Sequence, residues 1–421
     1  MISDTIPRAI GPAFRQEDCM NTNRLRHCLV AAIIALSCAA PALAQFIDDF
    51  NSSSVKLDPS GMKGWRFDAG DGTATIDLRQ GGNGYASLFV DGTTDKRGIW
   101  WAEMERFASD HMDLNLLQTP GYALRIEARV RSSHAPRRIN LQLQTQRTTD
   151  FDSNLMEFDI PDTTNWHTLS LTTPHLDAKP GDTVFAHLAM MDWGLEKYRL
   201  DIDYIKVDMV NTATAGPDLG EAVPYHPPVA DTKSFANVVR VVADSSIDIV
   251  NTDVPMNDWS VEDAAGKKLN LLTVDGTHYV IVRWDLSAFA GKKIAGHGLL
   301  ELTTQSVQQK AEPLKDFGIV RVVEILGGDP EWDQNTVTTD SLCHYEPLNR
   351  VLNTQMIIDW PITPGDGNKT YLTIGHPVLQ RMLEGKTLGI AIKPLGAINA
   401  AFYSMEDGER NAPRLYFNVE K

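Results

Sequence analysis

RRINLQLQTQRTTDFDSNLMEFDI, residues 137–160, reads as a β-hairpin. Ile139, Leu141 and Leu143 alternate with Asn140, Gln142, Gln144 and Gln146. A two-residue period marks a strand with one face in a core and the other in water. Each carboxamide offers two donors and an acceptor, so an unbroken row of four suits the hydroxyls of a sugar chain. The return strand, Leu155 to Ile160, places Glu157 and Asp159 on one face. Two rises put their Cβ atoms roughly 6.6 Å apart, a separation compatible with an inverting hydrolase pair.

Around the hairpin, short strand-like runs recur between Gly, Asp, Asn and Pro clusters. They read as Phe46–Phe50, Thr73–Leu78, Tyr85–Val90, Tyr122–Val130, His167–Leu171, Val184–Met191 and Tyr198–Val210. Even spacing of short strands predicts an all-β sandwich or jelly roll over residues 45–210. In YRLDIDYIKVDMV, residues 198–210, the apolar parity switches between Ile202 and Ile205, which demands a bulge near Asp203 and Tyr204.

The chain has 421 residues, 43% hydrophobic content and a formal charge of −16. That length suggests two domains, and the acidity argues against nucleic acid or an anionic membrane as partner. Residues 1–44 read as a signal region, with Met20 an alternative start. Arg24, Arg26 and His27 are followed by the apolar run Cys28–Ala40 and an A-x-A pattern before Gln45. The run is too short to span a membrane comfortably. The expected location is therefore secreted or periplasmic. Three of the four cysteines lie in that region, leaving Cys343 without a disulfide partner in the mature chain.

FIDDF (46–50) and the closing IDYIKV (202–207) resemble the galactose-binding-like jelly rolls of many carbohydrate-binding modules. In such modules a structural calcium ties the first strand to the last. The resemblance thus implies Asp48, Asp49 and Asp203 as Ca2+ ligands, and oxygen donors suit that ion. The alternative is that these are solvated edge acids.

Residues 211–231, rich in Pro, Gly and Ala, read as a linker. Beyond it, residues 232–421 carry a second set of strands and one short helix at His376–Glu384, capped by Gly385. HYVIVRWDLSAFAGKKIAGHGLLELTT (278–304), EWDQNTVT (331–338), YLTIGHPVLQRMLEGKTLGIAIKP (371–394) and AFYSMEDGERNAPRLYF (401–417) resemble DNRLRE-type secreted β-sandwich domains. Those include carbohydrate-binding module family 96, associated with alginate-type polymers. The sequence departs from that pattern at Asp340 and Ser341, where the family usually has Trp and Asn, which leaves a binding role for that loop without support.

The chain is thus expected to be two β-sandwich jelly rolls in tandem after a signal peptide, handling a polysaccharide. Candidate sugar contacts are Asn140, Gln142, Gln144, Gln146, Arg129, Trp100 and Trp101. Arg125, Arg129, Arg131, Arg137, Arg138 and Arg147 concentrate around the hairpin, and Arg forks match carboxylate bidentately. They suggest an anionic, uronate-type polymer, unless each pairs with a neighbouring acid. Catalysis stays open between two chemistries. Glu157 and Asp159 would serve a hydrolase; His187 and Tyr198 as bases, with Arg147 or Gln144 neutralising a uronate carboxylate, would serve a lyase. A non-catalytic binder and a surface adhesion protein are the other readings. There is no G-x-S-x-G elbow, H-E-x-x-H or phosphate-binding glycine loop.

Overall fold

A computed structural model describes residues 45–69, 73–93, 100–149, 154–192, 197–223, 231–256, 260–262, 265–309 and 318–421. The signal region and Pro224, Pro227 and Pro228 lie outside them, as do Trp193 and the side chains of Trp100 and Trp101.

The chain is all-β, as two sandwiches in tandem. The first is built from β1 (Gln45–Asp48), β2 (Arg66–Ala69), β3 (Thr73–Asp77), β4 (Ala86–Asp91), β5 (Trp100–Phe107), β6 (Tyr122–Ser132), β7 (Arg137–Thr145), β8 (Leu155–Ile160), β9 (His167–Thr173), β10 (Val184–Asp192), β11 (Lys197–Asn211) and β12 (Ala222–Val223). One sheet has the order β3-β4-β11-β6-β9, with β1 also on β11; the other runs β12-β8-β7-β10-β5-β2. The predicted hairpin is present: β7 pairs antiparallel with β8, Arg138 opposite Asp159 and Asn140 opposite Glu157. Ile139, Leu141 and Leu143 face Leu124, Ile126, Ala128 and Val130 across a dry core. Each Leu, Ile or Val side chain among them contributes about 1.5–3 kcal/mol by leaving water. The bulge expected near Asp203 is found, because the β11–β6 register shifts between Ile202 and Tyr204. That extra residue lets both halves of β11 point apolar side chains inward.

The region read as a linker is not free up to residue 223. Ala222 pairs with Phe158, extending the second sheet by a strand. Asp218 accepts from Ser170, Thr172 and the Thr172 amide.

The second sandwich comprises β13 (Asn237–Asp248), β14 (Ser260–Glu262), β15 (Lys268–Val274), β16 (His278–Trp284), β17 (Gly298–Gln309), β18 (Ile319–Ile325), β19 (Leu352–Trp360), β20 (Lys369–Ile374), β21 (Gly389–Leu395), β22 (Ile398–Tyr403) and β23 (Arg414–Phe417). They form one eleven-stranded sheet. Val320 and Val322 of β18 share a core with Leu372 and Ile374 of β20, which pairs with β17 at the far side of β23, β13, β16 and β21 from β18, so the sheet folds over on itself. The predicted helix is α1 (His376–Leu383), with Pro377 in its first turn and Val378, Leu379, Met382 and Leu383 buried. Gly385, at φ +70°, terminates it in a left-handed conformation.

The two sandwiches touch through an ionic contact. Arg381 of α1 sends Nε and Nη2 to Glu324, at 2.9 and 2.8 Å, and Nη2 also lies 2.7 Å from Asp159 of β8. Glu324 further accepts from Thr387 and Asn353. Beside them, Arg138 pairs with Glu157 at 2.9 Å, both 3% exposed. Burial pushes Glu157 and Asp159 up, against Arg138 and Arg381 respectively. Burial alone would also raise Glu324, but the two bonds from Arg381 hold it below the ordinary glutamate value. At the rim, Glu221 lies 3.1 Å from His376 Nδ1 and raises that imidazole.

Arg381→Ala should cost about 3–5 kcal/mol in urea unfolding, because it leaves two buried carboxylates uncompensated. Adding Asp159→Asn should recover part of the loss. A cost under about 1 kcal/mol would show that the carboxylates reach water. The His376–Glu221 pair should contribute stability below the ordinary histidine range and lose it as pH rises through the raised value. A shallow fall in Tm from pH 6 to pH 8 that His376→Ala flattens is the expected result; an identical fall in the variant would contradict it.

Candidate functional site

The outward face of the β12-β8-β7-β10-β5-β2 sheet carries polar residues in rows across the strands. Cross-strand partners point the same way. One row reads Glu157, Asn140, Ala189, Glu103, Asp68; the next reads Leu155, Gln142, His187, Glu105, Arg66. A third places Gln144 beside Phe185 and Phe107.

The two ends of this face differ. The Glu157 and Asp159 end is engaged with the second sandwich through Arg381. Asn140 and Gln142 are 3% and 7% exposed, so half of the amide row is closed to a polymer. Gln144 is half-buried and donates to Gln142 at 2.7 Å. Gln146 is exposed but held by Asp182 and Thr183.

The other end reaches solvent. His187 is 3% exposed, and its Nδ1 lies 2.5 Å from Glu103 Oε1 and 3.6 Å from Glu105 Oε2. Glu103 and Glu105 side chains are 22% and 16% exposed. Their oxygens and the imidazole nitrogen lie within 4.8 Å of one another, the one such donor group among the described residues. A mixed N/O set suits a borderline ion such as zinc. Arg66 approaches Glu105 at 3.7 Å and pairs with Asp68 at 2.6 Å. Phe107 and Phe185 meet edge to face at 6.0 Å, and Phe185 lies 6.5 Å from the His187 ring. Phe107 also borders a groove of about 330 Å3 lined with Asp113, Asn115 and Thr183.

The remaining expected site residues are dispersed. Tyr198 is buried between the sheets, its hydroxyl 3.5 Å from Met190 Sδ and its ring under Arg137 at 4.2 Å. It therefore does not share the outward face with His187. Arg147 forms two bonds to Asp182 at the sheet end, holding that carboxyl at about 2. Arg129 pairs with Asp203 at 2.8 Å. Arg131 and Arg125 pair with Asp201 and Asp218. The acids expected to bind calcium have protein partners as well. Asp48 takes Trp65 Nε1 at 2.9 Å, Arg106 at 2.5 Å and the Phe50 amide at 3.1 Å. Asp49 accepts from the Asn51 amide. The β1–β11 pairing sets Asp48 opposite Ile205, two residues from Asp203, but Asp48, Asp49 and Asp203 do not form a donor group within 4.8 Å of one another.

Glu103, Glu105 and Phe107 were not anticipated. WAEMERF, residues 101–107, carries the signal, since Ala102 and Met104 are buried while Glu103 and Glu105 alternate with them. In the second sandwich, Arg283, Trp284, Asp285 and Glu331 line a cleft of about 620 Å3. Arg283 bridges to Glu331 at 3.3 Å and covers the ring of Trp332, which is 2% exposed.

No family model matches the chain, so the DNRLRE resemblance gains no support there, and no curated protein matches it. Solved structures that resemble it include β-sandwich carbohydrate-binding modules. The family 11 module from Clostridium thermocellum, in complex with a β-1,3-1,4-mixed-linked tetrasaccharide, is 16% identical over 40% of this chain and 96% of that one, at TM-score 0.25. The tandem CBM22 domains of Paenibacillus barcinonensis Xyn10C are 12% identical over 91% of this chain and 99% of that one, at TM-score 0.26. An exo-β-agarase is 10% identical over 72% and 46%, at TM-score 0.29. Likeness at these values carries no functional inference for this chain. No helix among the described residues is long and apolar enough to cross a membrane.

Gly61 closes one side of the open end. It sits at φ +69°, and a Cβ there would meet Glu105 Oε1 at 3.3 Å and Phe185 Cε1 at 3.5 Å. Gly61→Ala should therefore destabilise the fold by about 1–2 kcal/mol. Unchanged urea unfolding would mean that the loop can move away.

Proposed function

We propose that this protein binds polysaccharide, without cleaving it, on the open end of the first sandwich's polar face. The observation that carries this is the Gln144–Phe185–Phe107 row lying beside the Glu105–Arg66 row. Partly exposed aromatic rings offer a flat apolar surface to a sugar ring. The carboxylates, the guanidinium and the carboxamide beside them supply acceptors and donors for hydroxyls.

The charge of that end favours a neutral polymer over a uronate one. Asp68, Glu103 and Glu105 stand there against Arg66. The arginines that suggested an anionic ligand are occupied: Arg125, Arg129, Arg131, Arg138 and Arg147 each pair with an aspartate or glutamate. Binding without cleavage is favoured by the dispersal of the candidate catalytic groups. Glu157 and Asp159 are buried in ion pairs, and Tyr198 lies in the core rather than beside His187. The signal-like run before Gln45 fits a secreted or periplasmic binder.

Affinity electrophoresis tests this with the chain from Gln45 onward, against mixed-linkage glucan, xylan and agarose on one side and alginate and pectin on the other. Retardation by a neutral polymer is expected, weakened on the order of tenfold by Phe185→Ala, equivalent to about 1.4 kcal/mol, and unchanged by Tyr198→Phe. Stronger retardation by alginate than by any neutral polymer, surviving 0.5 M salt, would reinstate the uronate reading. Release of reducing ends, or of products absorbing in the ultraviolet as unsaturated uronates, would overturn the non-catalytic one.

A further inference from the structure

In the second sandwich, β13 brings Asp244 against the turn Ser404-Met405-Glu406-Asp407 that follows β22. Asp244 is 1% exposed and Ser404 3%. Asp244 Oδ2 accepts the Met405 amide at 2.9 Å. Its Oδ1 has no hydrogen-bond partner among the described residues, and neither do Ser404 Oγ and Asp407 Oδ2. Asp244, Ser404, Glu406 and Asn270 line one small hollow of about 10 Å3, room for a single water or ion. The cationic side chain recorded here is Lys267, mostly exposed, at 4.0 Å from Asp407 Oδ1. Gln334 Nε2 donates to Glu406 on the outer side.

A buried carboxylate oxygen with neither a donor nor a counter-charge is strongly unfavourable. The hollow collects one such oxygen, Asp244 Oδ1, and the unpartnered Ser404 hydroxyl, with the Glu406 carboxylate on its wall. We propose that it is a binding site for a hard divalent cation of the calcium class, held by Asp244 Oδ1, Ser404 Oγ and the Glu406 carboxylate. Water on the exposed Glu406 side, outside the hollow itself, completes the shell. All-oxygen donors select calcium or magnesium over zinc and copper, and six to eight flexible ligands suit calcium better than the strict octahedron of magnesium. Glu406 is exposed and gives the ion its way in. The ion would tie β13 to the β22 turn, which also contacts β15 through the bond from the Ser404 amide to the Asn270 carbonyl. This site is separate from Asp48, Asp49 and Asp203, whose carboxylates are taken by protein donors. It is also separate from the nitrogen-containing Glu103–Glu105–His187 set.

The other occupant that chemistry allows is a proton. Without a cation, burial and then the like charges of Glu406 and Asp407 push Asp244 up to about 8. Thermal unfolding at pH 7.5 distinguishes the two. Protein stripped with EGTA should gain at least 5 °C in Tm on adding 2 mM CaCl2, and less with MgCl2. Asp244→Asn should abolish that gain, whereas Asp48→Asn and His187→Ala should keep it. Metal analysis of untreated protein should find one calcium per chain, absent from the variant. Should Asp244→Asn destabilise the fold too far to purify, Glu406→Gln and Ser404→Ala should each weaken calcium affinity measured by calorimetry. A Tm unmoved by calcium, with Asp244→Asn as stable as the parent, would overturn the proposal in favour of a protonated acid. A calcium gain lost in Asp48→Asn but kept in Asp244→Asn would overturn it too.

Discussion

Arg381 stands between the two sandwiches, and much else in the molecule follows from its position. Its guanidinium is held by two bonds to Glu324 from its own sandwich and by one contact to Asp159 from the other. A buried ion pair of this kind gains little net stability, since desolvation cancels most of the attraction. Its effect lies in specificity. Any other docking angle would leave Asp159 charged without Arg381 in a low dielectric, and Arg381 with one carboxylate instead of two. The docking in turn closes one end of the polar face and leaves the other end in solvent.

That constraint reassigns the hairpin from which the first sandwich is built. Its polar residues are real as a row, and the strands carry them in the expected alternation. Yet Asn140 and Gln142 are covered, while Glu157 and Asp159 serve as internal charges. What remains open is the β10-β5-β2 end, where Glu103 and Glu105 stand beside a nearly buried histidine and a pair of phenylalanines. Acidic groups dominate there, with Asp68, Glu103 and Glu105 against Arg66. The arginines are deployed against the protein's own aspartates, which keeps a chain of charge −16 from repelling itself locally.

Local patterns were legible to different degrees. The alternation in residues 137–145 and 122–130 specified strands, facing and core, because a two-residue period has one structural meaning when one face is buried. The parity switch in residues 198–210 specified the bulge for the same reason. Helix α1 was readable from Val378, Leu379, Met382 and Leu383 on one side and Gly385 at its end. Three strands of the first sandwich, β2, β5 and the two-residue β12, escaped notice. RFDA is too short to show a period, and WAEMERF hides a clear one behind glutamates that read as solvated charges.

From its sequence alone, this protein was determined to be an all-β chain of two sandwiches with a polar, amide-bearing hairpin strand in the first. Those are consequences of neighbouring residues along one strand, where side-chain direction follows from backbone geometry. Only the tertiary structure decided which polar residues meet water and which meet each other. Asp159 finds a partner 222 positions away in Arg381, and Asp244 meets the turn at Ser404–Asp407, 161 positions away at Met405. The free energy of a charged group depends on what desolvates and compensates it. For these residues that is set by packing between distant segments, which no local period encodes.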